Sequence, residues 1–332
     1  MLNRNIALDA IKGLCITLMV FGHIAYIGVA SEFLNSVKTF IYTFHMPIFL
    51  ILSGFFFRFD IELKNKGLKL LRRVVVPYVF FISIYFLGLN LAAILGVQTT
   101  NSPPQSLVMY LYSIFIHPIG GYWFLHTLIL VQLLTLVSKF LSFQFSDSRE
   151  GYFLLFSSVL LWFFIQYGIL DTRNVFYFFF GVLIARMSPE GLSLSFRVLL
   201  PIFVALILNA DLVETEIYKP FSIGEVIWNI LLFVLFWSVF EIKILQAHLS
   251  SLLAWLGRNT LIILVLHSLF IVLMKPLNTL FYKIDSSGIL QVCMVTIITI
   301  LGCLGSARIL DKLKLSIYLF GVREVFSRRQ SR

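Results

Sequence analysis

Long apolar runs, separated by short polar segments, fill most of the chain. A transmembrane helix needs roughly 20 mostly apolar residues, and ten of the runs approach that length. Their approximate limits are 8–30, 38–58, 73–96, 121–141, 152–170, 173–187, 196–210, 223–241, 255–275 and 288–308. The apolar stretch 106–118 is too short to span, so we expect it at the outer interface. The pattern predicts an all-α polytopic membrane protein, built as a bundle of about ten transmembrane helices.

The distribution of Lys and Arg predicts the orientation of this bundle. An even number of spans places both termini on one side of the membrane. If that side is cytoplasmic, the inner segments hold 20 of the 26 basic residues and the outer segments hold five, with Lys12 inside the first span. Because cytoplasmic loops are enriched in Lys and Arg, we expect both termini in the cytoplasm of a multi-pass protein of the cell inner (plasma) membrane. Residues 1–310 form the predicted membrane-embedded domain, and residues 311–332 form a basic cytoplasmic tail.

Composition excludes a water-soluble protein. Of the 332 residues, 59% are hydrophobic and 13% are charged, whereas soluble domains carry about 25% charged residues. The net charge of +10 is explained by the topology, so we expect no nucleic-acid partner. All three cysteines fall inside apolar runs without paired spacing, which favours small core residues over disulfides or metal ligands.

The first 30 residues have a second interpretation, as a cleaved signal peptide. Gly28-Val29-Ala30 has the small-x-small form of a cleavage site. Asp9 and Lys12 interrupt the start of the apolar region, however, and this favours a first span that is retained.

Ionisable residues inside the first two spans are candidates for function because they are costly in a membrane. Asp9 and Lys12 lie three residues apart and can pair on one helical face. His23 follows Lys12 by eleven residues, which places both on the same face about 16 Å apart. His45 in the antiparallel second span lies at a depth similar to that of His23, and histidine is the natural proton acceptor near neutral pH. Both histidines also have a plain structural interpretation, in which they only pack and form hydrogen bonds.

The segment between the second and third predicted spans is the most basic in the chain. It contains Lys64, Lys66, Lys69, Arg72 and Arg73 within ten residues. A positive-inside anchor explains such a cluster, and a phosphate-binding site is the sharper interpretation.

Further along the chain, three polar or aromatic residues are candidates for substrate or structural support. Trp123 begins a helix, Glu225 lies near the outer end of the eighth span, and His267 lies in the middle of the ninth. No histidine shows a metal-binding spacing, so we expect no metal.

Several stretches together resemble the integral-membrane family called acyltransferase three, and within it the fucose 4-O-acetylase-like proteins. They are LDAIKG (8–13) followed by His23, FHMPIFLILSGFFF (44–57), LRRVVVPY (71–78), GYWFL (121–125), YFFFGVLIAR (177–186) and WLGRNTLIILVLH (255–267). The stretches run in family order through most of the chain.

The resemblance implies a ten-helix bundle that moves acyl groups from cytoplasmic acyl-CoA to hydroxyls of cell-surface or lipid-linked glycans. The family pattern of a basic residue, ten intervening residues and a histidine falls on Lys12 and His23. The family's arginine pair corresponds to Arg72 and Arg73, with Lys69 nearby. In the family, two residues usually separate the members of this basic pair. In this chain, Lys69 and Arg72 have that spacing.

These observations lead to one mechanistic hypothesis, set in membrane lipid. Lys12 and the basic segment hold the phosphates of acetyl-CoA, and His23 acts as general base on a glycan hydroxyl. His45 orients His23 or stabilises the oxyanion, and an acylated histidine intermediate stays open. The alternative is a polytopic transporter or flippase of a lipid-linked glycan, which would also use polar groups at membrane depth.

Overall fold

The protein is a bundle of helices in a computed structural model that describes residues 5–58, 63–145, 149–187, 216–242 and 249–327, together with Val204. The α-helices in these ranges are α1 (Ile6–Gly22), α2 (Ser31–Tyr42), α3 (His45–Phe55), α4 (Leu63–Leu70), α5 (Val76–Ile94), α6 (Leu107–Phe115), α7 (Trp123–Ser142), α8 (Arg149–Gln166), α9 (Thr172–Met187), α10 (Ile223–Glu241), α11 (Leu249–Arg258), α12 (Thr260–Met274), α13 (Asn278–Ile284), α14 (Ile289–Lys312) and α15 (Ser316–Phe320). A π-helical turn, Leu71–Val75, joins α4 to α5. No strand occurs within the described ranges, which confirms the all-α prediction.

Six helical segments among the described residues are long and apolar enough to cross a membrane. They are Ser31–Phe55, Leu63–Ile94, Gly120–Ser142, Ile223–Glu241, Thr260–Ile284 and Ile289–Lys312. The first, fifth and sixth predicted spans are helices of 17, 18 and 16 residues, and the seventh, 196–210, lies outside the described residues. A membrane protein is thus supported, while the count of ten spans and the side of the termini stay predictions.

The first helix is shorter than the predicted span. The side chain of Asn5 caps α1 by accepting hydrogen bonds from the backbone N–H groups of Ala7 and Leu8. At the other end, the hydroxyl of Tyr42 donates to the carbonyl oxygen of Gly22 over 2.8 Å. Because this carbonyl is satisfied by α2, the helix stops at Gly22, and His23 lies at its end.

The second apolar segment is broken between α2 and α3, directly before the Met46-Pro47 pair. Proline has no N–H group to bond the carbonyl four residues earlier, which here belongs to Thr43. The side chain of Asn229 on α10 donates to that carbonyl over 3.1 Å instead. A neighbouring helix therefore satisfies the break, as membrane-embedded proline requires, and the break sets His45 at the start of α3.

Two pairs of glycines allow helices to approach closely around α1 and α3. A Cβ atom on Gly13 would collide with the carbonyl oxygen of Leu253 on α11, and one on Gly257 would collide with that of Asp9. Gly54 and Gly181 form the same kind of contact between α3 and α9. Small residues at helix interfaces are typical of membrane bundles, and here they fix the helices that carry the ionisable residues.

The segment after α14 packs back on the bundle. The carboxylate of Asp311 accepts hydrogen bonds from the backbone N–H groups of Val325 and Phe326, at 2.8 and 2.9 Å. Phe320 is fully buried, and Gly321 lies against the Cβ atom of Arg72. The division into a membrane domain and a tail at residue 310 stays a prediction.

Candidate active site

Three cavities lie beside α1, and each is lined by residues from distant parts of the chain. The basic cavity, of about 490 Å³, is lined by Lys12, Arg58, Lys66, Lys69 and Arg73 among others. The histidine cavity, of about 230 Å³, is lined by His23, Tyr42, His45, Trp123 and Arg173 among others. The lysine cavity, of about 180 Å³, is lined by His23, Lys38, Lys275 and Asn101 among others.

The basic cavity gathers five cations at the start of α1 and at α4. Lys12 pairs with the buried carboxylate of Asp9 over 3.1 Å, as the spacing of three residues predicts. The side chain of Lys66 lies 3.3 Å from the centre of the Phe57 ring and donates to the carbonyl oxygen of Arg58. No acidic side chain lines this cavity among the described residues, so its cations outnumber its anions and favour a multiply charged anion.

The structure separates the two arginines of the basic segment. All three residues are exposed, but Lys69 and Arg73 line the basic cavity, whereas Arg72 does not and its Cβ atom lies against Gly321 of the C-terminal segment. Lys66, a member of the basic segment, also lines the cavity, and so does Arg58, which the sequence analysis counted only among the inner cations. Their proximity to Phe57, at the end of a conspicuous apolar stretch, is the signal that could have identified them.

His45 has a defined tautomer. Its Nδ1 atom lies 2.8 Å from the carbonyl oxygen of Ile41. A carbonyl can only accept, so Nδ1 carries the proton and the Nε2 atom of the neutral ring holds a lone pair. The buried ring of His45 therefore presents an acceptor to the histidine cavity.

His23 lies between His267 and Tyr42, and its imidazole ring has no hydrogen bond to any residue that the structure describes. Its ring centre lies 5.1 Å from that of His267 and 6.4 Å from that of Tyr42, and the Tyr42 ring in turn lies 5.1 Å from that of His45. His267 is fully buried, and its Nδ1 atom is 2.9 Å from the carbonyl oxygen of Leu264. His23 is thus the member of the cluster whose ring nitrogens stay available, and it lines both the histidine and the lysine cavities.

Trp123 and Gly121 complete the wall of the histidine cavity beside the cluster. The Trp123 ring packs edge-on against Phe124, with centres 6.1 Å apart. A Cβ atom on Gly121 would lie 2.8 Å from Nε2 of His267. Only glycine fits there, because a methyl group would displace the imidazole.

Glu225, predicted as a support residue, is buried and holds Arg173 at the histidine cavity. One Nη atom of Arg173 lies 2.5 Å from Oε1 of Glu225. The Tyr177 hydroxyl donates to the same oxygen over 3.2 Å, and the backbone N–H of Phe221 donates to Oε2 over 2.5 Å. The Nε atom of Arg173 is buried without a hydrogen-bond partner. The network therefore holds Arg173, with one unused N–H group, beside the histidine cavity. The sequence interpretation treated Arg173 only as an outer-loop cation.

We expect Glu225→Gln to destabilise the protein more than removal of an exposed ion pair. The change leaves the guanidinium of Arg173 without its anion, at a cost of about 1–3 kcal/mol. Thermal unfolding in detergent should show a lower midpoint for Glu225→Gln and partial recovery in the double variant with Arg173→Gln. Glu216→Gln is the matched control, because Glu216 pairs with Lys219 at an exposed position. Strictly additive effects of the two substitutions would contradict a coupled pair.

The described residues contain no group of three or more His, Cys, Asp and Glu side chains that could hold a metal ion. The basic cavity lies at one end of α1 and the histidine cluster lies at the other. Eleven residues of helix separate Lys12 from His23, which corresponds to about 16 Å. Phe49 and Phe124 line the basic cavity, while Met46 and Trp123, on the same helices, line the histidine cavity. The two cavities thus follow one another along α3 and α7.

Comparisons with known proteins identify the family. Nodulation protein NolL of Mesorhizobium japonicum is 29% identical over 148 residues, which covers 41% of this chain and 38% of that protein. The chain thus matches less than half of the length of this relative. No solved structure matches. A family described as Acyltransferase domain, acyltransferase 3, matches residues 5–308, which confirms the resemblance seen in the sequence. The chain belongs to the acyltransferase 3 family.

Proposed function

We propose that this chain is a membrane O-acyltransferase that moves an acetyl group from cytoplasmic acetyl-CoA to a hydroxyl of a cell-surface or lipid-linked glycan. The observation that carries the proposal is the pairing of a basic cavity with a histidine cluster along α1 in a member of this family. In the proposed setting, a bundle of ten spans lies in the inner (plasma) membrane with both termini in the cytoplasm. A transporter would not need a phosphate-binding cavity beside a buried base.

The phosphates of the acyl donor bind in the basic cavity. Lys69 and Arg73 project into it from one side and Lys12 from α1. Arg and Lys together suit a multiply charged phosphate group. The pantetheine arm then runs past the T-shaped pair of Phe49 and Phe124, whose ring centres are 5.0 Å apart, towards the histidine cavity.

Transfer takes place beside His23. This residue accepts the proton of the acceptor hydroxyl as its oxygen forms a bond to the thioester carbonyl carbon. The C–S bond breaks as the tetrahedral intermediate collapses, and the coenzyme A thiolate takes the proton back from His23. The net reaction converts a thioester and an alcohol into an ester and a thiol. An acylated His23 that then reacts with the hydroxyl gives the same products in two steps.

The other side chains of the histidine cavity have supporting roles in this mechanism. Neutral His45 presents a lone pair at Nε2, so it accepts a hydrogen bond and orients His23 or the acceptor hydroxyl. The oxyanion requires a donor, and we assign this role to Arg173, whose side chain lines the cavity and whose buried Nε–H has no hydrogen-bond partner. Glu225 positions Arg173, and Trp123 and His267 shape the cavity around His23.

The experiment that tests the proposal follows the acyl group from donor to glycan. Membranes from a strain that lacks the gene, and from the same strain complemented with the gene, are incubated with acetyl-CoA labelled in the acetyl group. We expect alkali-labile label in glycan only in the complemented membranes, together with an acetyl-sized increase in glycan mass.

Two results would overturn the proposal. One is equal labelling in both membranes. The other is a glycan that keeps its acyl groups in the deletion strain while a lipid-linked precursor accumulates, which would favour the transporter.

A further inference from the structure

The lysine cavity adjoins the reacting histidine but is not used by the mechanism above. We propose that it is an anion subsite, which holds a phosphate or carboxylate group of the acceptor while the hydroxyl to be acylated lies beside His23. This inference rests on the proposed function and adds the class of acceptor, a glycan that carries an anionic group close to the modified sugar.

The two lysines of this cavity come from helices far apart in the sequence. Lys38 lies on α2, and Lys275 lies at the end of α12. Both are partly buried and line the same space of about 180 Å³. Within the described ranges, neither ammonium group forms an ion pair with a carboxylate. Two partly buried cations that line one cavity without a counter-ion repel each other, so an anionic ligand would stabilise the pair.

The contacts of both lysines leave hydrogen-bond donors for such a ligand. The ammonium group of Lys38 lies 5.5 Å from the centre of the Tyr42 ring and 5.8 Å from that of Tyr26. Lys275 donates one hydrogen bond, to the carbonyl oxygen of Gln98, over 2.8 Å. An ammonium group has three N–H donors, so each lysine retains donors that no described residue uses.

Neutral groups around the cavity suit a sugar that carries the anion. The side-chain amide of Asn101 donates to the Tyr85 hydroxyl over 3.0 Å, which fixes its position in the wall. Thr100 and Ser268 add hydroxyl groups, and no acidic side chain is among the lining residues that the structure describes. A wall of hydroxyl and amide groups around two cations is the composition expected for a phosphorylated or acidic sugar.

His23 connects the subsite to the proposed chemistry. It lines both the lysine cavity and the histidine cavity. An acceptor that extends across the two therefore places its anionic group at Lys38 and Lys275 and a hydroxyl of the neighbouring sugar at His23. Phospholipid headgroups carry the same phosphate chemistry, so the experiment must separate the acceptor from lipid.

The test measures binding of soluble probes to the purified full-length protein in uncharged detergent. Lys69→Gln and Arg73→Gln are introduced first, so that the basic cavity no longer dominates anion binding. We expect this background to bind glucose 1-phosphate and glucuronate more tightly than methyl glucoside. Adding Lys38→Gln or Lys275→Gln should weaken binding of both anions about tenfold, as expected for loss of one charge-assisted hydrogen bond. Lys38→Arg should retain most of the affinity, and Lys283→Gln is the matched control because Lys283 is exposed and does not line the cavity.

Several results would overturn the subsite. They are equal affinity for methyl glucoside and glucose 1-phosphate, an effect of Lys283→Gln as large as that of Lys38→Gln, and binding of short-chain phosphatidylglycerol but of neither sugar anion. The last result would assign the lysines to lipid. Binding is measured separately from transfer. If the wild-type protein transfers no acetyl group while the sugar anions still bind through Lys38 and Lys275, only the proposed function is refuted. Acetyl transfer that is insensitive to both lysines, with no anion binding, would refute only the subsite.

Discussion

His23→Ala is expected to lower the kcat of acetyl transfer by about 10²–10⁴-fold, the usual contribution of a general base. Acetyl-CoA affinity should stay within about twofold of wild type, because the basic cavity lies about 16 Å away along α1. The measurement is transfer of labelled acetyl groups by equal amounts of membrane-inserted protein, with acetyl-CoA binding measured separately. His117→Ala is the matched control, since His117 is an exposed histidine that stacks only on Tyr112.

Full transfer by His23→Ala would refute the assignment of the base.

Two variants of His45 test the role of its ring nitrogens. Glutamine can supply an acceptor near the position of Nε2, whereas asparagine can only reproduce the Nδ1–H bond to Ile41. If His45 acts through Nε2, His45→Gln should retain more activity than His45→Asn. If His45→Asn is the more active variant instead, the role of His45 is only structural, through the Nδ1–H bond to the carbonyl oxygen of Ile41.

The second large effect is expected at the basic cavity. Lys69→Gln and Arg73→Gln should each raise the KM for acetyl-CoA about tenfold or more, because each removes a charge-assisted hydrogen bond to phosphate worth about 1.5–3 kcal/mol. The kcat at saturating acetyl-CoA should change little, since these side chains bind the donor far from the reacting carbon. Initial rates over a range of acetyl-CoA concentrations give both constants.

Arg72→Gln provides the matched control for this series. Arg72 is adjacent to Arg73 in sequence, has the same charge and is likewise exposed, but it does not line the cavity. We therefore expect its KM to match that of wild type. A KM for Arg72→Gln as high as that for Arg73→Gln would favour the family spacing of Lys69 and Arg72 over the pair that faces the cavity. Unchanged KM values in all three variants would indicate that the basic segment does not bind acetyl-CoA and serves only as a membrane anchor.

Much of the fold followed from local sequence, because helix periodicity and apolar length are local properties. The pairing of Asp9 with Lys12 needs only a spacing of three residues. The placement of His23 and His45 at similar depth followed from two consecutive antiparallel spans, and both residues line one cavity although α1 is shorter than predicted and α2 lies between α1 and α3. These are the features that a sequence without relatives can predict.

The remaining features depend on which helices are neighbours, and periodicity does not specify this. Lys38 and Lys275 line one cavity although they lie on α2 and just after α12, and nothing in either segment indicates the other. Arg73 lines the cavity and Arg72 does not because of where α4 and the turn after it pack in the bundle. The early end of α1 depends on a hydrogen bond from Tyr42, twenty residues later.

The close glycine contacts between α1 and α11 have a consequence for biosynthesis. Gly13 and Gly257 bring the first helix against a helix made more than 200 residues later. Until α11 is made, α1 must remain in the bilayer with the Asp9–Lys12 pair and without its main packing partner. A helix of 17 residues with two charges inserts weakly by itself. Stable insertion of the helix that carries His23 is therefore coupled to the completion of translation, and a ribosome stalled before residue 257 should leave α1 accessible to the translocon.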